Sequence, residues 1–487
     1  MDTPRDRPDL RGGKKEGIMV FIIGRLRVSG ADGAVFRDSL GGRWTNMPRR
    51  VRLNAVQTLT AGFALLILIG GALLSFPLAA RNGQAVAFED ALFTAASASC
   101  VTGLSLFDTA SRFSLFGQAV ILLLIQIGGL GFMTVSILVS VLLRQRVGLH
   151  RRAVLMDTVG ALQLGGIVRL VRRGLRVTAV CEGGGAALLA LWFCPRYGLG
   201  RGLWMAVFHA VSAYCNAGFD LLGTGSSLTS EAGEPLLNLV IMALIICGGL
   251  GFLVWDDILT HGSQFRRWRL HSKIVAVFTA VLFLGGGLAF YLLERDRAFA
   301  GLPLSQQLLM SAFQSVTART AGFATVDQAA LSQSSTLLMF LLMFVGAGSG
   351  STGGGVKVNT FAVLLLSAFA QVRRQEDVNI FRRRLDGGTI QKAYSSVSLY
   401  LMACLAGCMV LCIQGIALDD ALFEAISAIG TVGLSRGVTG SLPLLSQWTV
   451  LLMMFAGRVG SMSVAMAVTK DKPQPKRRNV PEKILIG

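Results

Sequence analysis

Apolar runs long enough to cross a bilayer alternate along this chain with shorter apolar segments, each of them opened by a polar or charged patch. A spanning helix needs about 20 predominantly apolar residues. The pattern repeats the same parts in order: a long run, a half-length run, a glycine-bearing turn and a second long run. The first unit reads as a span over 55–79, a short segment over 89–99 and a return span over 114–143. The second uses 176–194, 204–215 and 235–259, and the third 273–293, 305–317 and 334–370. The fourth uses 393–417, 419–429 and 446–469. The predicted fold is an all-α integral membrane protein of four consecutive helix–pore loop–helix repeats, with eight spans and four re-entrant half-helices around one pseudo-four-fold pore. The expected divisions are a basic cytoplasmic arm over 1–53, repeats over 54–145, 146–262, 263–385 and 386–470, and a basic cytoplasmic tail over 471–487.

The half-length segments lead into four related stretches: Ser97–Leu104, Ser212–Phe219, Val316–Phe323 and Ser427–Leu434. Their glycines, Gly103, Gly218, Gly322 and Gly433, lie 115, 104 and 111 residues apart. A half-span that turns back inside a bilayer leaves backbone groups without helical partners, and such backbone survives only when buried in protein or lining a watery path. Glycine tolerates the backbone angles needed to aim successive carbonyls at one axis. Carbonyls gathered in this way can replace the hydration shell of a cation. The C-terminal end of each short helix adds a partial negative charge.

Composition agrees with the membrane reading. The 487 residues are 53% hydrophobic and 15% charged, with a mean hydropathy of +0.60, whereas soluble domains carry about 25% charged residues. The net charge of +19 would suggest nucleic acid in a soluble protein, but its distribution suggests topology instead. With the amino terminus inside, the inner segments hold 36 of the 46 Lys and Arg and the outer regions hold 8. This is a strong positive-inside bias, with both termini cytoplasmic and nucleic acid unnecessary as a partner. Lys357 and Arg458 fall within spans. The outer regions also carry 12 acidic residues, among them Glu89, Asp90, Asp108, Asp220, Asp327, Asp419, Asp420 and Glu424. A mouth of this charge concentrates cations, although Glu89, Asp90, Asp419 and Asp420 would serve equally as favourable charges at helix N-termini. The eight cysteines form no CxxC pair and read as small packing residues. Residues 17–23 are apolar but short and lack a cleavage site, so no signal peptide is expected.

Two further features stand out. The second span of the third unit is interrupted by Gly346–Gly355, which holds six glycines in ten residues, followed by Lys357. Each glycine costs a helix about 1 kcal/mol relative to alanine, so this stretch should unwind and line a cavity. Arg458 sits mid-span, where an arginine requires a polar partner. Gly128-Gly129-Leu130-Gly131-Phe132 recurs as Gly248-Gly249-Leu250-Gly251-Phe252, read as close helix packing. Asp256 and Asp257 lie near the inner end of a span, and Glu182, read as lying near the inner end of another, is left without a role.

The four stretches resemble the Trk/Ktr/HKT superfamily of potassium transporters, closest to the bacterial Ktr and Trk membrane subunits, over roughly residues 50–470. Its most specific pieces are Val101–Leu104, Asn216–Asp220, Arg319–Phe323 and Gly430–Leu434. The resemblance implies a selectivity filter drawn from Cys100, Val101, Thr102 and Gly103; Tyr214, Cys215, Asn216, Ala217 and Gly218; Thr320, Ala321 and Gly322; and Gly430, Thr431, Val432 and Gly433, with potassium as the transported ion and no organic cofactor. Cys100 and Cys215 stand where the family pattern leads one to expect Thr or Asn. The resemblance further implies a gate built from Gly346, Gly348, Gly350, Ser351, Thr352, Gly353, Gly354, Gly355 and Lys357, with Arg458 as an electrostatic barrier facing it. Ser461-Met462 follows here where comparable members continue with Gly-Pro. Implied partners are a second copy in a homodimer and a separate cytoplasmic nucleotide-binding regulatory ring (KtrA/TrkA-like), consistent with the lack of a GxGxxG unit in this chain. Coupling of potassium uptake to sodium or protons is left open by these residues.

The competing reading is a secondary transporter of an organic solute with Arg458 as substrate ligand. That class predicts inverted repeats with helices broken at matching points, whereas the sequence suggests four parallel copies and one broken helix. An intramembrane enzyme is not expected, since the four histidines form no HExxH and no catalytic cluster stands out.

Overall fold

The computed structural model describes residues 55–131, 134, 167–223, 225–460, 463–464 and 482. The arm expected over 1–53, the connection over 144–166 and all of the 471–487 tail except Glu482 lie outside them. The long helices are α1 (Ala55–Ser75), α2 (Phe88–Cys100) and α3 (Leu115–Leu130); then α4 (Ile167–Tyr197), α5 (Leu199–Cys215), α6 (Pro235–Leu250) and α7 (Phe252–His261). There follow α8 (Leu270–Glu294), α9 (Leu304–Thr317), α10 (Gln333–Phe344) and α11 (Val358–Val372), and finally α12 (Gly387–Ile413), α13 (Leu418–Gly430) and α14 (Leu444–Val459). A small antiparallel hairpin pairs Asn379–Ile380 with Arg383–Arg384 between α11 and α12.

Among the described residues, α1 from Val56, α4 from Val168, α8 and α12 are long and apolar enough to cross a membrane. Their outward faces carry exposed Leu65, Val180, Leu284 and Met409, as expected of surfaces that meet hydrocarbon rather than water. The second spans of the first, second and fourth units differ from the sequence expectation, whereas that of the third divides as expected. Within the described residues helix is interrupted in each of the four. The span predicted over 235–259 bends by 94° between α6 and α7 at Gly251, and the one predicted over 334–370 divides into α10 and α11. Helices α3 and α14 end at Gly131 and Gly460, whose φ values of 84° and 96° match the 89° of Gly251. These angles suit glycine and terminate a right-handed helix. The expectation of one broken helix therefore fails, because it weighed glycine number rather than the single glycine that supplies the required φ.

The units interlock in a closed order. Each short helix packs against its own unit's long helix and also against the second helix of the preceding unit: α3 on α5, α6 on α9, α10 on α13, and α14 back on α2. Glycines make these crossings possible. A methyl group on Gly128 would overlap the carbonyl of Ser99, one on Gly248 that of Tyr214, and one on Gly457 that of Ile429. Each of these carbonyls lies four residues before a turn glycine, so packing of the second helices is what seats the turns. Around α7, Arg173 and Arg269 pair with Asp256 at 2.7 and 3.0 Å, while Asp257 accepts from Ser272 Oγ at 2.6 Å and the Arg269 amide at 3.0 Å. The two aspartates thus fasten α7 to the start of α8.

Overpacking at such a crossing typically costs about 1–3 kcal/mol. Gly457→Ala should lower the thermal transition of the detergent-solubilised protein measurably. Gly285→Ala, where nothing stands within 4 Å of the added methyl, should leave it unchanged or slightly raised.

Candidate functional site

All four turns adopt one backbone solution. Two residues before each turn glycine, Val101, Asn216, Thr320 and Thr431 have φ values of 57°, 60°, 69° and 50°. The glycines follow at 97°, 70°, 79° and 91°. A β-branched residue at positive φ is rare and strained by about 1–3 kcal/mol, and Val101, Thr320 and Thr431 are all β-branched. In three turns the conformation is a helix C-cap of Schellman type. Val101 N–H donates to Ala98 and Thr102 N–H to Ser97; Asn216 and Ala217 repeat the pair on Ala213 and Ser212, and Thr431 and Val432 on Ala428 and Ser427. The third turn closes differently, with Ala321 N–H on the Thr317 carbonyl at 3.1 Å.

A hydroxyl near the end of each short helix ties the turn together. Ser97 Oγ accepts from Gly103 N–H at 3.1 Å, and Ser427 Oγ accepts from Gly433 N–H at 3.1 Å while donating to the Leu434 carbonyl at 2.6 Å. Ser212 and Thr317 donate in the same way to the carbonyls of Phe219 and Phe323, at 2.7 and 2.5 Å. Sequence reasoning assigned these hydroxyls no role. Their recurrence five or six residues before each glycine was the signal available.

The turns meet one another in a closed ring. A methyl group on Gly103 would stand 2.5 Å from the Ala217 oxygen, one on Gly218 2.9 Å from the Ala321 oxygen, and one on Gly322 2.8 Å from the Val432 oxygen. One on Gly433 would overlap the Thr102 oxygen and complete the circuit. Thr102, Ala217, Ala321 and Val432 are fully buried, and among the described residues no hydrogen bond reaches their carbonyls. Cys100, Tyr214, Cys215 and Gly430 belong instead to the last turns of their helices, and the Tyr214 carbonyl accepts from Thr352 Oγ1 at 3.0 Å.

The loop between α10 and α11 lies directly against this ring. A side chain on Gly353 would overlap Thr320 Oγ1, and one on Gly354 would overlap Thr431 Oγ1. Its own backbone is held at several points: Gly346 N–H on Val356 at 2.9 Å, Gly348 N–H on Gly249 at 2.9 Å, and Gly350 O accepting from Phe252 N–H at 3.1 Å. Lys357 Nζ donates to Gly353 and Gly354 at 2.5 and 3.5 Å. Ser351 Oγ is buried with no partner among the described residues. Arg458 bridges three carbonyls, donating to Thr352 through one terminal nitrogen and to Gly128 and Gly129, at 2.5 and 2.8 Å, through the other. Gly355, with φ 68°, approaches the Gly430 carbonyl.

Arg319 was counted among the outer basic residues, but it is 9% exposed and reaches Thr279 Oγ1 at 3.4 Å and the Gly346 carbonyl at 3.3 Å. It is a third cation on the loop beside Lys357 and Arg458, directly connected to the third turn. Of the acidic residues that the sequence suggested for a pore mouth, Asp108 and Asp327 cap short helical turns, and Asp420 pairs with Arg436 at 3.2 Å. Glu424 is buried on Ser435 and Thr439. Glu89, Asp90 and Asp419 sit in first helical turns whose N-caps make no side-chain bond, so their contribution there is electrostatic. Asp220, just past the second turn, has its carboxyl pushed up to about 6, chiefly by burial and further by nearby Asp108, against the Leu222 N–H bond that opposes it.

Comparison with known proteins follows this geometry. A family model described as a cation transport protein, TrkH, matches residues 45–479. The potassium/sodium uptake protein NtpJ of Enterococcus hirae is 37% identical over 457 residues, covering 91% of this chain and 100% of the relative. The Ktr system potassium uptake protein B of Bacillus subtilis is 38% identical over 425 residues, covering 87% and 94%. The crystal structure of the potassium transporter TrkH from Vibrio parahaemolyticus superposes with a TM-score of 0.70 at 17% identity, over 88% of this chain and 87% of that one. At that identity the likeness is one of fold.

Ser427→Ala strips a buried N–H and a buried carbonyl of their shared partner, a change that costs about 1–3 kcal/mol. Thermal unfolding should move down accordingly. Ser395→Ala, at an exposed hydroxyl, should move it little.

Proposed function

Because this chain belongs to the TrkH family of cation transport proteins, as a Ktr/Trk-like membrane subunit and not an enzyme, we propose that it takes up potassium across the cell membrane through a filter of backbone carbonyls. The carrying observation is the ring of four buried carbonyls, from Thr102, Ala217, Ala321 and Val432, that no hydrogen bond reaches among the described residues. An orphaned buried carbonyl is costly, and a desolvated cation is the partner that answers four of them set in one closed ring. Potassium stands in the names of both uptake proteins described above, alone in the Bacillus subtilis protein and beside sodium in that of Enterococcus hirae.

In this reading the four units are repeats around one pore, with eight spans, four half-helices and both termini cytoplasmic. The cyclic packing of the short helices and the positive-inside charge distribution support it. The ends of α2, α5, α9 and α13 add negative potential at the ring. The Gly346–Gly355 loop is the gate, and Arg458 is the positive barrier beneath the ring that holds the loop through Thr352. Passage of an ion requires the loop to leave Thr320 and Thr431, and a motion at the Gly248–Gly249 and Arg458 contacts would release it. A homodimer served by a separate nucleotide-binding subunit completes the proposal. Arg458 already donates to three backbone carbonyls, which argues against a carboxylate-binding role in an organic-solute transporter.

Rubidium uptake into proteoliposomes tests the filter. Gly433→Ser places a side chain on the Thr102 carbonyl, and Gly103→Ser places one against Ala217. Each should reduce rubidium-over-sodium preference by about tenfold or abolish flux. Unchanged flux with unchanged preference would refute the filter. For the gate, deletion of 350–354 should raise flux in the absence of a regulatory subunit, and a flux that stays at the wild-type level removes the gating role.

A further inference from the structure

Glu182 is the middle residue of the 31-residue α4. An ionisable side chain within a helix long and apolar enough to span a membrane calls for a function. Its carboxylate accepts from both sides of one donor, with Gln126 Nε2 of α3 lying 3.1 and 3.3 Å from its two oxygens. It also accepts from the Cys215 thiol at 3.9 Å, a proton shared with Gln126 Oε1 at 3.9 Å. Sulfur is a weak, long-range donor, so the pair of acceptors defines where the thiol sits.

Cys215 is the last helical residue before Asn216, the left-handed residue of the second turn. One turn along α3 from Gln126 stands Gly129, where an added methyl group would come 2.6 Å from Cys215 Sγ. The Gly129 carbonyl is in turn held by Arg458 at 2.8 Å. The thiol is therefore held against α3, at the Gly129 backbone that Arg458 holds and at Gln126, with Glu182 of α4 as its other acceptor. Cysteine fits this place because it is small enough for Gly129 and still offers a proton to the pair.

We propose that Glu182 is a positioning residue for ion selectivity: with Gln126 it fixes Cys215 and hence the direction of the Ala217 carbonyl. The proposal rests on reading the four turns as the filter. It predicts that the pair acts on the relative affinity for cations rather than on protein assembly.

The test compares rubidium and sodium uptake in proteoliposomes, reading KM and maximal rate separately. Glu182→Leu should lower rubidium preference by about tenfold through KM, with maximal rate retained, while Glu182→Gln, which keeps an acceptor oxygen, should stay within about twofold of wild type. In a Cys215→Ala background Glu182→Leu should add nothing further, because both changes break one linkage. Gln126→Leu replaces Glu182→Leu in the same scheme if the latter fails to assemble, and should give the same loss. Unchanged preference in these variants, or losses that add in the double variant, overturns the positioning role. If Gly433→Ser loses preference and Glu182→Leu does not, the inference about Glu182 fails alone; if neither does, the filter reading fails with it.

Discussion

Inside a bilayer every backbone polar group needs a partner, because no water is present to supply one. Around the four turns, and among the described residues, the buried carbonyls of Thr102, Ala217, Ala321 and Val432 are left without a partner, as are those of Val101, Asn216, Thr320 and Thr431 just before them. Many of the groups beside them are engaged. The N–H groups are taken by helix-end carbonyls and by Ser97 and Ser427, and the carbonyls after the glycines by Ser212, Thr317 and Ser427. The turns can face inward only because so much around them is satisfied.

Holding them there has a conformational cost. Val101 and Thr431 are kept at positive φ by helix caps and Thr320 by the turn closed from Ala321 to Thr317, while Gly128, Gly248 and Gly457 let the second helices close onto the short ones. Interlocked in a cycle, each unit braces the next, so strain at one turn is opposed by packing from two units. The loop from Gly346 to Gly355 uses the same contacts from the other side. Its anchors on Gly248, Gly249 and Arg458 belong to the helices that seat the turns. On the proposed reading, gate and filter share a frame, and movement of the one is felt by the other.

Much of this was legible in the chain because apolar run length and charge asymmetry report directly on burial in lipid. The short-helix ends fell within a few residues of expectation, and the four turn glycines lie together as their spacing suggested. The break at Gly346–Gly355 was legible, but those at Gly131, Gly251 and Gly460 were hidden, because one glycine at the right φ stops a helix as effectively as six in a row, and φ is not written in composition. Arg319 was misplaced because a turn near the outer surface in sequence terms carries it inward toward Gly346. Val101 and Thr431 gave no warning at all: β-branched residues are poor candidates for left-handed backbone, and their conformation is imposed by tertiary packing. Glu182 lacked a role until the partners from α3 and α5 were seen beside it.

The central claim is that four buried carbonyls make one cation site. Soaking the purified protein with thallium and locating the ion by its anomalous scattering addresses it directly. The account predicts a density peak on the ring axis, encircled by the carbonyls of Thr102, Ala217, Ala321 and Val432 and weakened by competing potassium. Bound thallium found only elsewhere, with the ring empty at saturating concentration, would contradict it.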